Sequence, residues 1–201
     1  MIGNNKKMNK GLTLIELLVS IAIFSFLVVG LIGMFSSAVN AQQSVLQNQE
    51  ILNQGSYVTE YMDRAIRMAL KDDGTEGTAG DCTGTADKNY NATSSSITFL
   101  TYDVATASYK CKRFLLSGTA IMEQKSTDTT VANLQTAVPI TSSKVKVTAF
   151  NVQLNGDVSG SSQPIVTFVI NMESNNPRRL DPLPKMIFQT SISQRNLNVS
   201  N

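Results

Sequence analysis

The sequence contains no histidine and no tryptophan. Histidine is the commonest general base and metal ligand at neutral pH, so its absence argues against Ser-His-Asp catalysis, Cys-His catalysis and most zinc sites. Ser126 follows Lys125, and Ser143 precedes Lys144. Neighbours on a strand point to opposite faces, so neither pair forms a Ser-Lys dyad. No glycine-rich phosphate loop follows a predicted strand either, and the sequence therefore predicts a protein that is not an enzyme.

Charge is missing from one long part of the chain. Residues 17–49 contain no Asp, Glu, Lys or Arg. The 17 basic and 15 acidic residues of the chain give a net charge of +2, and the basic excess comes from Lys6, Lys7 and Lys10 near the start. The remainder has no run of Lys and Arg interleaved with aromatic residues, so no nucleic-acid partner is predicted.

The uncharged part begins with a long apolar segment. Residues 17–35 have only Ser20 and Ser25 as polar side chains. A helix continued through residue 39 would be about 34 Å long at about 1.5 Å per residue, enough to cross about 30 Å of hydrocarbon. The polar, basic leader MIGNNKKMNKG is expected on the cytoplasmic side of that membrane, and the chain after the helix is expected outside.

Two simpler interpretations would make the chain an exported or membrane-anchored binding module. A signal peptide cleaved between Ala41 and Gln42 is the first, but its apolar region should span only about 7–15 residues. A plain signal anchor is the second, and it leaves Glu16 without a role at the membrane edge. A carboxylate deeper in hydrocarbon costs about 2.5–3.5 kcal/mol on insertion scales, which favours a partner for Glu16.

The run Gly11-Leu12-Thr13-Leu14-Ile15-Glu16-Leu17 resembles the prepilin processing motif of type IV pilins and type II secretion pseudopilins. This resemblance implies cleavage between Gly11 and Leu12 by a membrane-embedded prepilin peptidase, followed by N-methylation of Leu12. It also implies an assembly role for Glu16, whose carboxylate would attract the positive amino terminus of a neighbouring subunit within the membrane. The family most often has Phe at the first mature position and often has Pro inside the apolar helix, whereas this chain has Leu12 and no proline before Pro139.

The closing sequence FQTSISQRNL is similar to the end of minor subunits of the J-type pseudopilin and W-type minor pilin kind. The resemblance implies a structural subunit that initiates or caps a type IV pilus or a type II secretion pseudopilus. It implies a single-pass protein of the inner membrane with an extracytoplasmic head, located at the filament tip after assembly. Its implied partners are other pilin or pseudopilin subunits, the prepilin peptidase and methyltransferase, the inner-membrane assembly platform and membrane lipid.

The predicted fold is α+β, pilin-like, with a long N-terminal helix packed on an antiparallel β-sheet. The predicted regions are a leader (1–11), a transmembrane and assembly helix (12–39), an amphipathic continuation of that helix (40–70) and a β-rich head (71–201). An apolar stripe at helical spacing marks the continuation, with Gly55 as its one weak point. The stripe consists of Leu52, Tyr57, Val58, Tyr61, Met62, Ala65, Ile66, Ala69 and Leu70.

The head begins with a polar loop and continues with strands. Residues 71–95 are rich in Gly, Thr, Ser, Asn and Asp, which is typical of a loop. The predicted strands are 96–102, 109–116, 120–124, 144–154, 164–172 and 185–193. Residues 127–137 are predicted to form a linker or a short helix. In the strand 144–154, Val145, Val147 and Ala149 are expected on one face.

Cys82 and Cys111 are the two cysteines of the chain. They are either a disulfide formed in an oxidising compartment or two unrelated thiols, and the export that the leader implies favours the disulfide. No cofactor is expected. Calcium in the 72–87 loop is an alternative, since calcium binds oxygen ligands from flexible loops. The acidic residues available there are Asp72, Asp73, Glu76, Asp81 and Asp87.

Overall fold

A computed structural model describes residues 11, 13–74, 80–156, 163–175 and 183–194. The chain divides into two compact units, Met1–Val45 and Leu46–Asn201. Helix α1 (Leu14–Arg67) contributes residues to both units. Its 54 residues contain no proline, which would have broken or kinked it. The helix ends at Arg67, and Leu70 already pairs with Leu100 in a β-bridge, so the predicted helix end at residue 70 is three residues too late.

Two antiparallel sheets fill the Leu46–Asn201 unit. The first has the strand order β1-β2-β3-β4-β5, and the second has the order β6-β7-β8. The strands are β1 (Tyr90–Thr93), β2 (Ser96–Asp103), β3 (Ser108–Ser117), β4 (Ala120–Lys125), β5 (Val138–Pro139), β6 (Val145–Asn155), β7 (Ile165–Ser174) and β8 (Lys185–Ser193), and a short 3₁₀ helix spans Val131–Asn133. The predicted α+β class, with a long helix packed on antiparallel β-structure, is confirmed, although the strands form two sheets instead of one.

Strand β1 corrects the prediction that all of residues 71–95 form a loop. Tyr90 is buried, and its hydroxyl donates a hydrogen bond to the carbonyl oxygen of Ile66, 2.9 Å away. The backbone of Tyr90 pairs with Phe99 on β2. The strand was not predicted because Tyr90 is its one large apolar residue, and the burial of Tyr90 depends on α1 and β2, which are distant in sequence.

Strand β6 corrects the predicted alternation. Val145 and Val147 are buried as expected, but the pairing with β7 shifts between Val147 and Ala149. A bulge of this kind adds one residue to a strand and reverses the faces that follow it. Phe150 and Val152 are therefore the buried residues beyond the bulge, and Ala149 does not share the face of Val147.

One face of α1 forms the centre of the core in the Leu46–Asn201 unit. Its buried residues recur every three or four positions, which is the spacing of a single helix face. They are Gln47, Ile51, Gly55, Val58, Met62 and Ile66. The predicted stripe shares Val58, Met62 and Ile66 with this face, but Leu52 is 47% exposed and Tyr57 is 56% exposed. The true face includes Gly55, which the sequence presented as a weakness.

Gly55 allows β8 to approach α1 closely. A Cβ atom at position 55 would lie closer than 3.0 Å to three ring carbons of Phe188. Phe188 is half-buried and packs against the core cluster that contains Val58 and Met62. Glycine is therefore required here by the space the ring takes, and its lower helix propensity of about 1 kcal/mol is offset by this packing.

The contact between Gly55 and Phe188 can be tested by introducing Gly55→Ala into the native chain and into a Phe188→Ala variant. In the native background, Gly55→Ala should lower the free energy of unfolding by about 1–3 kcal/mol, because the added methyl group displaces the Phe188 ring. In a Phe188→Ala background, the same change should raise it by up to about 1 kcal/mol, because only helix propensity remains. Urea unfolding of the full chain in neutral detergent, followed by circular dichroism, measures both. An equal effect of Gly55→Ala in the two backgrounds would contradict the proposed contact.

A partly buried polar network connects α1 to the first sheet. The Tyr61 hydroxyl donates a hydrogen bond of 2.7 Å to Oε1 of Glu123, and Lys112 Nζ lies 3.1 Å from the same oxygen. Lys125 Nζ lies 3.4 Å from Oε2 of Glu123, whose side chain is 11% exposed. Lys112 Nζ also lies 5.7 Å from the centre of the Tyr61 ring, within the range of a cation–π contact.

This network sets the protonation of its two acids. Burial disfavours the charged form of Glu123, but the hydrogen bond from Tyr61 and the two ammonium groups outweigh it, so the pKa of Glu123 lies below its ordinary value of 4.5. Burial, and then the hydrogen bond to Glu123, raises the pKa of Tyr61. Near neutral pH the network therefore consists of an ionised carboxylate and a protonated phenol.

The lowered pKa of Glu123 predicts a loss of stability in acid. A folded-state pKa below the unfolded one contributes stability above the ordinary pKa of 4.5, and this contribution disappears as the pH falls through the folded value. Glu123→Gln should lower the free energy of unfolding by about 1–3 kcal/mol at neutral pH. Between about pH 5 and pH 3, the free energy of unfolding of this variant should fall less steeply than that of the native chain. Chemical unfolding of the full chain at several pH values measures the slope.

Glu60→Gln is the control for the acid prediction. Glu60 is exposed and pairs with Arg64 on the same helix, so its replacement should leave the native pH slope in place. A Glu123→Gln variant with the native slope would show that another group controls the acid sensitivity.

Candidate functional site at the start of the helix

Thr13 and Glu16 close the first turn of α1 with reciprocal hydrogen bonds. The Glu16 backbone N–H donates to Oγ1 of Thr13, and the Thr13 backbone N–H donates to Oε2 of Glu16, each at 3.3 Å. The Thr13 hydroxyl also donates to Oε2 of Glu16 at 3.3 Å. This pattern is a capping box, in which a Thr before the helix and a Glu three residues later satisfy each other's free N–H groups. The carboxylate also lies at the positive end of the helix dipole.

The residues after the cap present apolar side chains all around the helix. Between Leu14 and Phe35, the large apolar side chains that are exposed range from Val19 at 52% to Phe26 at 82% exposure. The Ser20 and Ser25 hydroxyls donate to the carbonyl oxygens four residues earlier, at 2.7 and 2.8 Å. Such bonds satisfy hydroxyl groups inside a helix. By length and composition, this helix could cross a membrane.

Residues 6–32 match the prokaryotic N-terminal methylation motif. The match covers residues 6–11 of the basic leader, the predicted cleavage point, the capping box and residues 17–32 of the apolar segment. It points to a type IV pilin-like or pseudopilin-like protein, a class with a structural role. Together, the motif and the long apolar helix indicate membrane anchoring. No curated protein and no solved structure matches the chain.

The structure places the residues of the predicted processing site in part. Gly11 is exposed, and a Cβ atom added to it would meet no atom within 4 Å. The fold of the chain therefore does not require glycine there. Leu12 lies outside the described residues. Glu16 is exposed and lies in the first helical turn, and its bonds to Thr13 were not predicted. The pattern Thr-x-x-Glu before an apolar run would have indicated them.

Gly30 and Gly33 have open space around them as well. A Cβ atom at either position would meet no atom within 4 Å. Unlike Gly55, they are not needed for packing within the chain. Small residues of this kind allow close approach of a second helix in a membrane.

Cys82 and Cys111 form a disulfide, with Cα atoms 5.6 Å apart. Both cysteines are fully buried and form a small core cluster with Leu100. Asp72 organises the loop beside the bond, because its Oδ2 accepts hydrogen bonds from the backbone N–H groups of Cys82 and Thr83, at 3.0 and 2.8 Å. The disulfide thus connects the polar loop to the middle of β3.

The calcium prediction for the 72–87 loop stays a prediction. Asp72 is buried and accepts backbone hydrogen bonds, and Asp87 forms an ion pair of 2.8 Å with Lys71. Glu76 lies outside the described residues. Within the part of the chain that the structure describes, no group of three or more His, Cys, Asp or Glu side chains is placed to hold a metal ion.

The capping box predicts a specific effect of replacing Thr13. Thr13→Ala removes the acceptor for the Glu16 N–H, which should destabilise the first turn by about 1 kcal/mol and speed hydrogen exchange of that amide roughly fivefold. Thr13→Ser keeps the hydroxyl and should exchange at nearly the native rate. Amide exchange of the full chain in neutral detergent, measured by NMR, resolves the two variants. Equally fast exchange in Thr13→Ser would contradict the side-chain cap.

Proposed function

We propose that this chain is a minor pilin or pseudopilin, a structural subunit that co-assembles through its N-terminal helix to initiate or cap a type IV pilus or a type II secretion pseudopilus. The methylation motif at residues 6–32, continued by a helix with exposed apolar side chains, carries this proposal. Side chains of this kind need lipid or other apolar helices around them. The closing sequence, similar to J-type pseudopilins and W-type minor pilins, supports a minor subunit.

Processing is the first step of the proposed function. A prepilin peptidase would cut between Gly11 and Leu12, and the new amino group of Leu12 would be methylated. The exposed position of Gly11 supports access for such an enzyme. Cleavage removes Lys6, Lys7 and Lys10, the residues responsible for the basic excess of the chain.

Assembly follows from the pairing of two charges. Processing creates an ammonium group at Leu12, and the next carboxylate along the chain is Glu16. A lone charge in hydrocarbon is strongly disfavoured, and an opposite charge in the same medium attracts strongly. The Glu16 carboxylate of one subunit would therefore attract the amino terminus of its neighbour, and the pairing would set the stagger between subunits. The Thr13 hydrogen bonds support this role because they hold the carboxylate at the beginning of the helix.

The proposed location is the inner membrane, with the leader in the cytoplasm and the head outside, and then the tip of the filament. The basic leader supports this orientation through the preference of positive charge for the cytoplasmic side. The disulfide between Cys82 and Cys111 supports an oxidising compartment for the head. The partners would be other subunits, the peptidase and methyltransferase, the assembly platform and membrane lipid.

Replacing Glu16 separates processing from assembly. Glu16→Val should leave cleavage intact, with a mature chain that begins at methylated Leu12, because Gly11 and the leader are unchanged. The variant should lose co-assembly with other subunits, by at least about tenfold in recovered filament material, because the amino terminus then has no carboxylate partner. Intact-mass spectrometry of the mature chain and cross-linking in membranes measure the two steps.

Glu60→Val is the matched control, since it removes an exposed carboxylate from the same helix. It should be processed and should assemble like the native chain. Native co-assembly of Glu16→Val would reject the proposed role of Glu16. A mature chain that begins at Gln42 would reject the pilin proposal itself and would support an exported binding module.

A further inference from the structure

A small cavity opens near the turn that joins β2 and β3, beside the last residue of β4. Its volume is about 140 Å³, and its lining includes Tyr102, Asp103, Val104, Lys110, Lys112 and Lys125. At about 30 Å³ per water molecule, it has room for about four or five waters. Sites for drug-sized ligands are larger, at about 300 Å³ or more. The cavity is therefore sized for one small group, such as the end of a single side chain.

The cavity lining carries three lysines and one carboxylate, Asp103, and a second carboxylate, Glu123, pairs with two of these lysines. Lys110 Nζ lies 3.0 Å from Oδ2 of Asp103. Lys112 and Lys125 share Glu123, at 3.1 and 3.4 Å. Glu123 also accepts the hydrogen bond from Tyr61, so its oxygens serve three donors. The ionised groups leave one positive charge without a matching negative charge at this site.

The sheet register concentrates that charge. Lys112 on β3 stands directly opposite Lys125 on β4, an arrangement of like charges that destabilises a sheet. The Lys110 and Lys112 side chains are each only 16% exposed, so water screens them weakly. The Lys125 side chain is 49% exposed, and an incoming anion can reach it from solvent. One added negative charge would neutralise the cluster.

We infer that this cavity binds one carboxylate, the side chain of an Asp or Glu residue on a partner protein. A carboxylate carries a charge of −1 and matches the excess of one positive charge, whereas a phosphate monoester carries about −1.5 to −2. The neighbouring surface suits a protein partner, because Val104 is 84% exposed and Tyr102 is 45% exposed beside the cavity. Tyrosine is enriched in protein interfaces, and apolar anchors beside a paired charge are typical of them. This inference rests on the cavity alone and not on the proposed role in a filament.

The test titrates the full chain in neutral detergent with a blocked pentapeptide, Gly-Gly-Glu-Leu-Gly, acetylated and amidated so that Glu is its one charge. The backbone amide signals of Lys110, Lys112 and Lys125 should shift in a saturable manner. The Gln counterpart of the peptide should not shift them. Lys125→Gln should weaken binding roughly tenfold, the effect of losing one charged hydrogen bond.

Lys185→Gln is the matched control. Lys185 is an exposed lysine on the edge strand β8, with its Nζ 3.5 Å from Glu173, so this change removes the same charge far from the cavity in sequence. It should bind the peptide like the native chain, and Lys125→Arg should retain most of the binding. An equal loss of peptide affinity in Lys125→Gln and Lys185→Gln would show that binding depends only on the overall charge of the chain, and it would overturn the inference. Equal binding of the Gln peptide, or tighter binding of inorganic phosphate, would overturn it as well.

Discussion

The packing of one face of α1 against the sheets holds the Leu46–Asn201 unit together. Ile51, Val58, Met62 and Ile66 are completely buried on that face. Each contributes about 1.5–3 kcal/mol relative to an exposed side chain, so they rank among the main stabilising contacts of the unit. The burial of Tyr90, the approach of Phe188 and the position of Glu123 all depend on where this face lies, since each of these residues contacts α1 or a residue on it.

Near its beginning, the same helix exposes its apolar side chains instead of burying them. From Leu17 to Phe35 its exposed surface is almost entirely apolar, and the nearest charge is the capped Glu16 just before this segment. The Glu16 carboxylate accepts hydrogen bonds from the backbone N–H and the hydroxyl of Thr13, and its remaining lone pairs can accept from a cation that approaches from outside. Glu16 therefore caps the N-terminus of the helix and is also the residue on which the proposed assembly depends.

The sequence predicted the bounds of the strands better than it predicted how the strands pair and which faces are buried. The strands β2, β3, β4, β7 and β8 follow alternating or apolar runs between turn residues, and each lies within two residues of its predicted bounds. Strand β1 was missed because its burial comes from Ile66 and Phe99, and the faces of β6 were wrong beyond Val147 because a bulge leaves no local signal. The division into two sheets depends on pairing between distant strands, which local pattern does not determine.

The candidate sites differ in the same way. The methylation motif and the Thr13–Glu16 cap are local patterns, and both stand in the sequence within a few residues. The lysine cavity is not local, because Lys112 and Lys125 meet only through the register of β3 and β4. Gly55 lies between these two cases. The sequence shows a glycine within the helix, but the contact that requires it involves Phe188, more than a hundred residues later in the chain.

The disulfide has a mechanical consequence. It joins Cys82 to Cys111 through a covalent bond, so residues 83–110 form a closed loop in the chain. A force that pulls on α1 and on β8 passes directly across the sulfur atoms and does not stretch that loop. Strands β1 and β2, and the hairpin tip with Val104 and Lys110, lie inside the loop. If the chain works in a filament under tension, this part of the head is shielded from the load, and its surface keeps its shape while the rest of the chain is pulled.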